Sequence, residues 1–117
     1  MLEKLSRINI LYDFYGRLLT DRQKRFVELY YGQDLSLGEI AENYNVSRQA
    51  VYDTLKRAEQ LLSEYEDKLG LAAKFDAEKS KLAAAADLLD EYMAAPDGSK
   101  LIEARKLLSD ILDMSGK

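Results

Sequence analysis

The 117-residue sequence contains no cysteine and no histidine. Those two absences remove disulfides, thiolate nucleophiles, the usual zinc sites and the commonest general base. There is also no run of about 18 apolar residues, the length a helix needs to cross a bilayer. Glu3 and Asn9 interrupt what would be the apolar region of a signal peptide. The expectation is a cytoplasmic protein without membrane insertion. Glycine-rich phosphate loops of the P-loop or dinucleotide type do not occur, and neither do internal repeats or low-complexity linkers. Asp87, Asp90, Glu91, Asp110 and Asp113 could be read as a hard-metal or acid–base site, but their spacing is that of a solvated helix face. Neither an enzyme nor a cofactor or metal is expected.

The chain is 47% hydrophobic, which is enough for the core of one domain, or of one small domain with an extension. Its net charge of −4 is unevenly spread. Residues 1–60 hold nine Lys and Arg against nine Asp and Glu, whereas residues 61–117 hold eight against twelve. Nucleic-acid affinity comes largely from counterion release by Lys and Arg, so the acidic second half opposes it and any nucleic-acid footprint has to be local.

The most informative stretch is LSLGEIAENYNVSRQAVYDTLKRAEQLL, from Leu35 to Leu62. Ser36 followed by Glu39 is a capping box and predicts a helix from Leu37. Leu37, Ile40, Ala41 and Tyr44 share one face of that helix, and Asn45 tolerates the left-handed conformation of a C-terminal cap. Ser47 caps a second helix, Val46 inserts as a plug between the two, and Ala50, Val51, Leu55 and Ala58 form the inward stripe. Ala41 and Ala50 are small where two steeply crossing helices must approach closely. The pattern is that of a helix-turn-helix, the bland alternative being an αα-corner in a helical core. On the other face of the second helix stand Arg48, Gln49, Tyr52, Asp53 and Lys56, which with Ser47 are the groove-reading positions of such a motif. Arg suits guanine O6 and N7, and Gln suits adenine N6 and N7.

IAENYNVSRQAVYDTLKRAEQLL resembles the promoter-reading C-terminal domain of bacterial sigma factors. The longer stretch LYDFYGRLLTDRQKRFVELYYGQDLSLGEIAENYNVSRQAVYDTLKRAEQLLSEYEDKLGL is similar to the YlxM family of small bacterial helix-turn-helix proteins, and beyond residue 71 the likeness is one of length and helical character. That family is usually encoded beside the genes of the signal recognition particle GTPase. The resemblance therefore implies a regulatory or accessory DNA-binding protein linked to that pathway, with DNA or the RNA of the particle as ligand and the particle's GTPase as a partner. Tyr52 and Asp53 depart from the sigma pattern, in which many relatives carry a basic and a small polar residue. A carboxylate facing phosphate is repulsive, so the expectation is weak binding to duplex DNA, with structured RNA at least as good a ligand. The competing reading is a protein-binding adaptor of the particle that keeps the fold without reading DNA.

Before this motif, periodicity predicts a thoroughly buried helix from Glu3 to Leu18, with Leu5, Ile8, Tyr12, Tyr15 and Leu19 on one stripe, widened by Leu11, Phe14 and Leu18. The tyrosines could serve base stacking, but their helical spacing favours core packing with the hydroxyl at the rim. Thr20 and Gln23 form a second capping box, opening a helix from Asp21 to about Tyr31 that closes at Gly32 as a left-handed cap. Arg22, Lys24 and Arg25, with Arg17 nearby, are candidates for phosphate contact, against the plain reading of a solvated helix end. After the motif, the second helix shows no stop before Gly70. It would run 23 residues, Ser47 to Leu69, or about 34 Å.

Leu71 to Ala95 is a strong helix former with Phe75, Leu82, Ala86, Leu89 and Met93 spaced by sevens, fours and threes, and the alanines at 83–86 permit close approach of a neighbouring helix. A Pro96-Asp97-Gly98 turn follows, with Gly98 supplying a positive φ. Ser99 then caps a last helix to about Met114 with Leu101, Leu108, Ile111 and Leu112 inward. The expected fold is all-α: a sigma-like helix-turn-helix domain with a long recognition helix over residues 1–70, then a C-terminal α-helical hairpin over 71–117. The hairpin is expected to dimerise or dock a partner, since two helices alone bury little.

Overall fold

The computed structural model describes residues 2–115, and among them every regular element is helical. Six α-helices run in order: α1 (Leu2–Tyr15), α2 (Asp21–Val27), α3 (Leu37–Tyr44), α4 (Arg48–Leu69), α5 (Leu71–Ala94) and α6 (Gly98–Ser115). The chain divides into two compact units, Met1–Ala72 and Ala73–Lys117.

In the first unit the helix starts follow local chemistry. Thr20 Oγ1 accepts from the Gln23 amide at 3.1 Å while Gln23 Oε1 accepts from the Thr20 amide at 2.9 Å. Ser36 and Glu39 repeat that reciprocal pair at 3.1 and 3.0 Å. Each box satisfies two amides that a first helical turn leaves unpaired. Asn45 takes the left-handed conformation (φ 54°, ψ 48°), and the Val46 amide returns to the Ala41 carbonyl at 3.0 Å, closing α3 in a Schellman arrangement. The core joins Ile8, Leu11, Tyr15 and Leu19 from the first segment with Phe26, Val27 and Leu29. Against them pack Ile40 and Ala41 of α3 and Val51, Leu55, Ala58 and Leu62 of α4. Val46 is partly buried against this cluster, as a plug between α3 and α4 should be.

Two predicted ends differ. The chain does not stop at Gly32 in a left-handed cap. The last turn of the second segment, Glu28–Gly32, widens so that the Gln33 amide reaches the Glu28 carbonyl five residues back. The left-handed residue is Asp34 (φ 58°), after which the Leu35 amide bonds the Leu29 carbonyl at 3.0 Å. The first helix, likewise, tightens after Tyr15 into one 3₁₀ turn, Gly16–Leu18, and leaves Leu18 55% exposed. Ile10 is exposed as well, so α1 buries one face and is not buried all round.

In the second unit α5 and α6 form an antiparallel hairpin, tied by Lys81–Asp110 at 3.9 Å and Lys100–Glu91 at 3.1 Å. Asp97, not Ser99, caps α6: its Oδ1 accepts from the Ser99 amide at 3.0 Å, and Gly98 is the first helical residue, without a positive φ. The hairpin closes on small side chains, Ala85 and Ala104 being its buried residues among those described. Of the α6 side chains predicted inward, Ile111 is half-buried while Leu101, Leu108 and Leu112 are exposed, and so is the periodic set Phe75, Leu82, Leu89 and Met93 on α5. At 100° per residue each set falls within an arc of about 40°.

Candidate nucleic-acid interface

The second helix of the motif, α4, begins where Ser47 Oγ accepts from the Ala50 amide at 3.0 Å. Val51, fully buried, and Leu55 then fix its rotation against the core. Consequently Arg48, Gln49, Tyr52, Asp53 and Lys56 are all exposed, within an arc of about 140° that borders the buried stripe at Arg48. Ala50, predicted on the inward stripe, is only half-buried and lies about 60° outside that arc. Gln49 Nε2 donates to Asp53 Oδ1 at 2.8 Å along the face. Leu37 joins Arg48, Gln49 and Tyr52 in lining a shallow depression. A methyl group at Gly38 would lie 3.6 Å from Arg48 Nε, so the arginine lies against the first turn of α3. Sequence reasoning missed Leu37 and Gly38 as neighbours of the reading face. It also missed the Gln49–Asp53 bond, although the four-residue spacing of a Gln and an Asp on a helix is a usable signal for it.

The second predicted cluster is less available. The Arg22 guanidinium carbon lies 5.7 Å from the Phe26 ring centre and 5.5 Å from that of Tyr44, a pair of cation–π contacts that ties the start of α2 to α3. Lys24 pairs with Asp21 at 3.6 Å and Arg25 with Glu28 at 3.7 Å, both within their own segment. Of the three, Arg22 is thus joined to the helix-turn-helix, while Lys24 and Arg25 are partly offset by carboxylates. Arg17 is exposed on the 3₁₀ turn.

Behind the interface, three tyrosine–glutamate pairs hold the helices. Tyr12 donates to Glu28 at 2.5 Å, Tyr31 to Glu59 at 2.6 Å and Tyr15 to Glu66 at 2.5 Å, and Lys4 adds an ion pair to Glu59 at 3.1 Å. Burial, followed by the carboxylate hydrogen bond, pushes the Tyr12 phenol up to about 12 and raises those of Tyr15 and Tyr31 in the same direction. Tyr15 also accepts from the Leu71 amide at 3.0 Å, and Glu66 Oε1 accepts from the Ala72 amide at 3.0 Å. Together they cap the start of α5. These tyrosines are packing residues with working hydroxyls and not a stacking surface for bases; Tyr52, 47% exposed, is the aromatic ring on the reading face.

Residues 2–104 match the profile of the UPF0122 family, described as "Putative helix-turn-helix protein, YlxM / p13 like". The chain belongs to that family. It is 55% identical to a UPF0122 protein of Desulforamulus reducens over 114 residues, 96% of each chain. It is 50% identical to one of Bacillus licheniformis over 107 residues, 92% of this chain and 97% of that one. A third UPF0122 protein, from Halalkalibacterium halodurans, is 47% identical over 104 residues, 89% of this chain and 95% of its own. The family's description is that of a helix-turn-helix protein and not of an enzyme. No helix among the described residues is long and apolar enough to cross a membrane.

Proposed function

We propose that this UPF0122 protein is a nucleic-acid-binding regulatory or accessory protein of the cytoplasm, which places the first two turns of α4 in the major groove of duplex DNA. The observation that carries the reading is the exposed face of Arg48, Gln49, Tyr52 and Lys56 on a helix whose start is capped and whose buried stripe is locked in the core. A major groove admits an α-helix, whereas the deep, narrow major groove of duplex RNA does not, so an RNA ligand would have to offer unpaired bases. Ser47 at the helix start and Arg22, Lys24, Arg25 and Arg17 beside it supply phosphate contacts, diluted by Asp21, Glu28 and Asp53. The likeness to YlxM supports a link to the signal recognition particle pathway, with the particle's RNA and GTPase as the molecules to try. The competing adaptor reading is favoured by Asp53, a carboxylate on the reading face.

The apolar stripes of the hairpin support a homodimer. Each stripe lies about 60° to the same side of its helix's buried alanine, and because the helices are antiparallel both stripes face one side of the hairpin. A second hairpin laid on that side would complete a four-helix bundle.

The nucleic-acid reading is tested by fluorescence anisotropy with duplex DNA and with the particle's RNA across a salt series. Affinity should fall steeply with salt, and Arg48→Ala with Lys56→Ala should weaken it and flatten the slope, since each cationic side chain withdrawn from the nucleic acid lowers the number of counterions released. If the double variant binds either nucleic acid unchanged while the protein still captures the particle's GTPase at high salt, the adaptor reading replaces this one.

A further inference from the structure

We propose that Asp53 sets what Gln49 reads: hydrogen-bonded to each other, the two side chains turn acceptors outward and select a base with an exocyclic amino group, adenine or cytosine, in the DNA major groove. The inference rests on the nucleic-acid reading above. Gln49 Nε2 donates to Asp53 Oδ1 at 2.8 Å across one turn of α4, with both residues exposed. An unconstrained glutamine is ambivalent. It can flip its amide to offer NH2 to guanine O6 or thymine O4, or to offer its oxygen to an amino group. An ionised carboxylate has no hydrogen to give, so Gln49 can bond Asp53 only through its NH2, and the amide orientation is fixed by the partner's chemistry.

Gln49 Oε1 and the second oxygen of Asp53 remain as acceptors on the reading face, and the second Nε2 hydrogen remains as a donor that purine N7 can accept. Adenine N6 and cytosine N4 carry the hydrogens they require, whereas the groove-facing oxygens of guanine and thymine would meet a carboxylate oxygen without a proton between them. The acidic residue that repels phosphate thus has a use at the base edge. It exchanges some sequence-independent affinity for discrimination. Arg48, one residue before Gln49, offers only donors and suits guanine, so adjacent positions of the site would be read with opposite polarity.

Selection from a pool of random duplex DNA, run in parallel with the wild-type protein and Asp53→Ala, tests this. Circular dichroism would show that the exposed substitution leaves the helices intact. The wild type should enrich a position at which adenine or cytosine is favoured over guanine and thymine by roughly tenfold, the scale of one good base contact. In Asp53→Ala the freed amide should accept all four bases there to within about twofold. A wild-type motif with no such position, or one that Asp53→Ala reproduces with the same discrimination, overturns the role of Asp53 while leaving nucleic-acid binding intact. Failure of the wild type to enrich any duplex sequence overturns the duplex-DNA reading itself, and this inference with it.

Discussion

Val51 and Arg48 stand three residues apart on α4 and have opposite fates, one fully buried and the other exposed. Val51→Asp would bury an unpaired charge among apolar neighbours and should cost several kcal/mol, whereas Arg48→Ala should stay within about 0.5 kcal/mol. Equal thermal midpoints for the two variants would show that the faces of α4 are reversed. At this scale the sequence was most legible where the chemistry is local. Ser36, Glu39, Thr20, Gln23, Asn45 and Ser47 take the capping roles their spacing predicts, because each acts on backbone within three or four residues of itself. Leu18 was misjudged because its exposure depends on the tightening of the chain after Tyr15, which helical periodicity does not encode. Asp34 rather than Gly32 takes the left-handed position because the turn before it is one residue wider than an α-turn.

Between elements, the tyrosine–glutamate pairs make a prediction about alkaline pH. The native state holds the Tyr12 proton up to about pH 12, whereas an unfolded tyrosine releases it near 10.0. The stability contributed by that difference is fully present below pH 10 and is lost as the pH rises from there to about 12. The raised phenols of Tyr15 and Tyr31 act in the same direction. Thermal melts through this range should show a falling midpoint, and Tyr12→Phe should lessen the fall. If phenolate absorbance rises around pH 10 with all tyrosines titrating together while the fold persists, these bonds do not hold the helices. The sequence placed Tyr12 and Tyr15 on the core stripe correctly, but their partners Glu28 and Glu66 lie 16 and 51 residues away. Pairings at that separation exist only once the helices have packed.

On the scale of the whole molecule, the close approach at the alanines of residues 83–86 is legible in the sequence and Ala85 is buried, whereas most of the α6 stripe read as inward is exposed. Leu82, Leu89 and Met93 do form a stripe, but the buried residues of the two helices are Ala85 and Ala104, with Leu88, Tyr92, Leu107 and Ile111 half-buried, and the stripe is exposed. If a second copy covers it, sedimentation at micromolar concentration should give the mass of two chains. Leu82→Glu with Met93→Glu, at side chains 50% and 79% exposed, should halve that mass without unfolding the protein. A wild type that remains a single chain would sink the homodimer. The other end of α4 imposes a constraint of its own. This one helix carries the proposed reading residues on its first turns and Glu66 near its last, where the carboxylate accepts from the Ala72 amide at the start of α5. Deleting a single residue between them would rotate one set by about 100° and shift it by about 1.5 Å relative to the other. Related chains should therefore differ in length at connections such as residues 32–36 and 95–98, and α4 should keep its length even where its solvent-facing side chains drift freely.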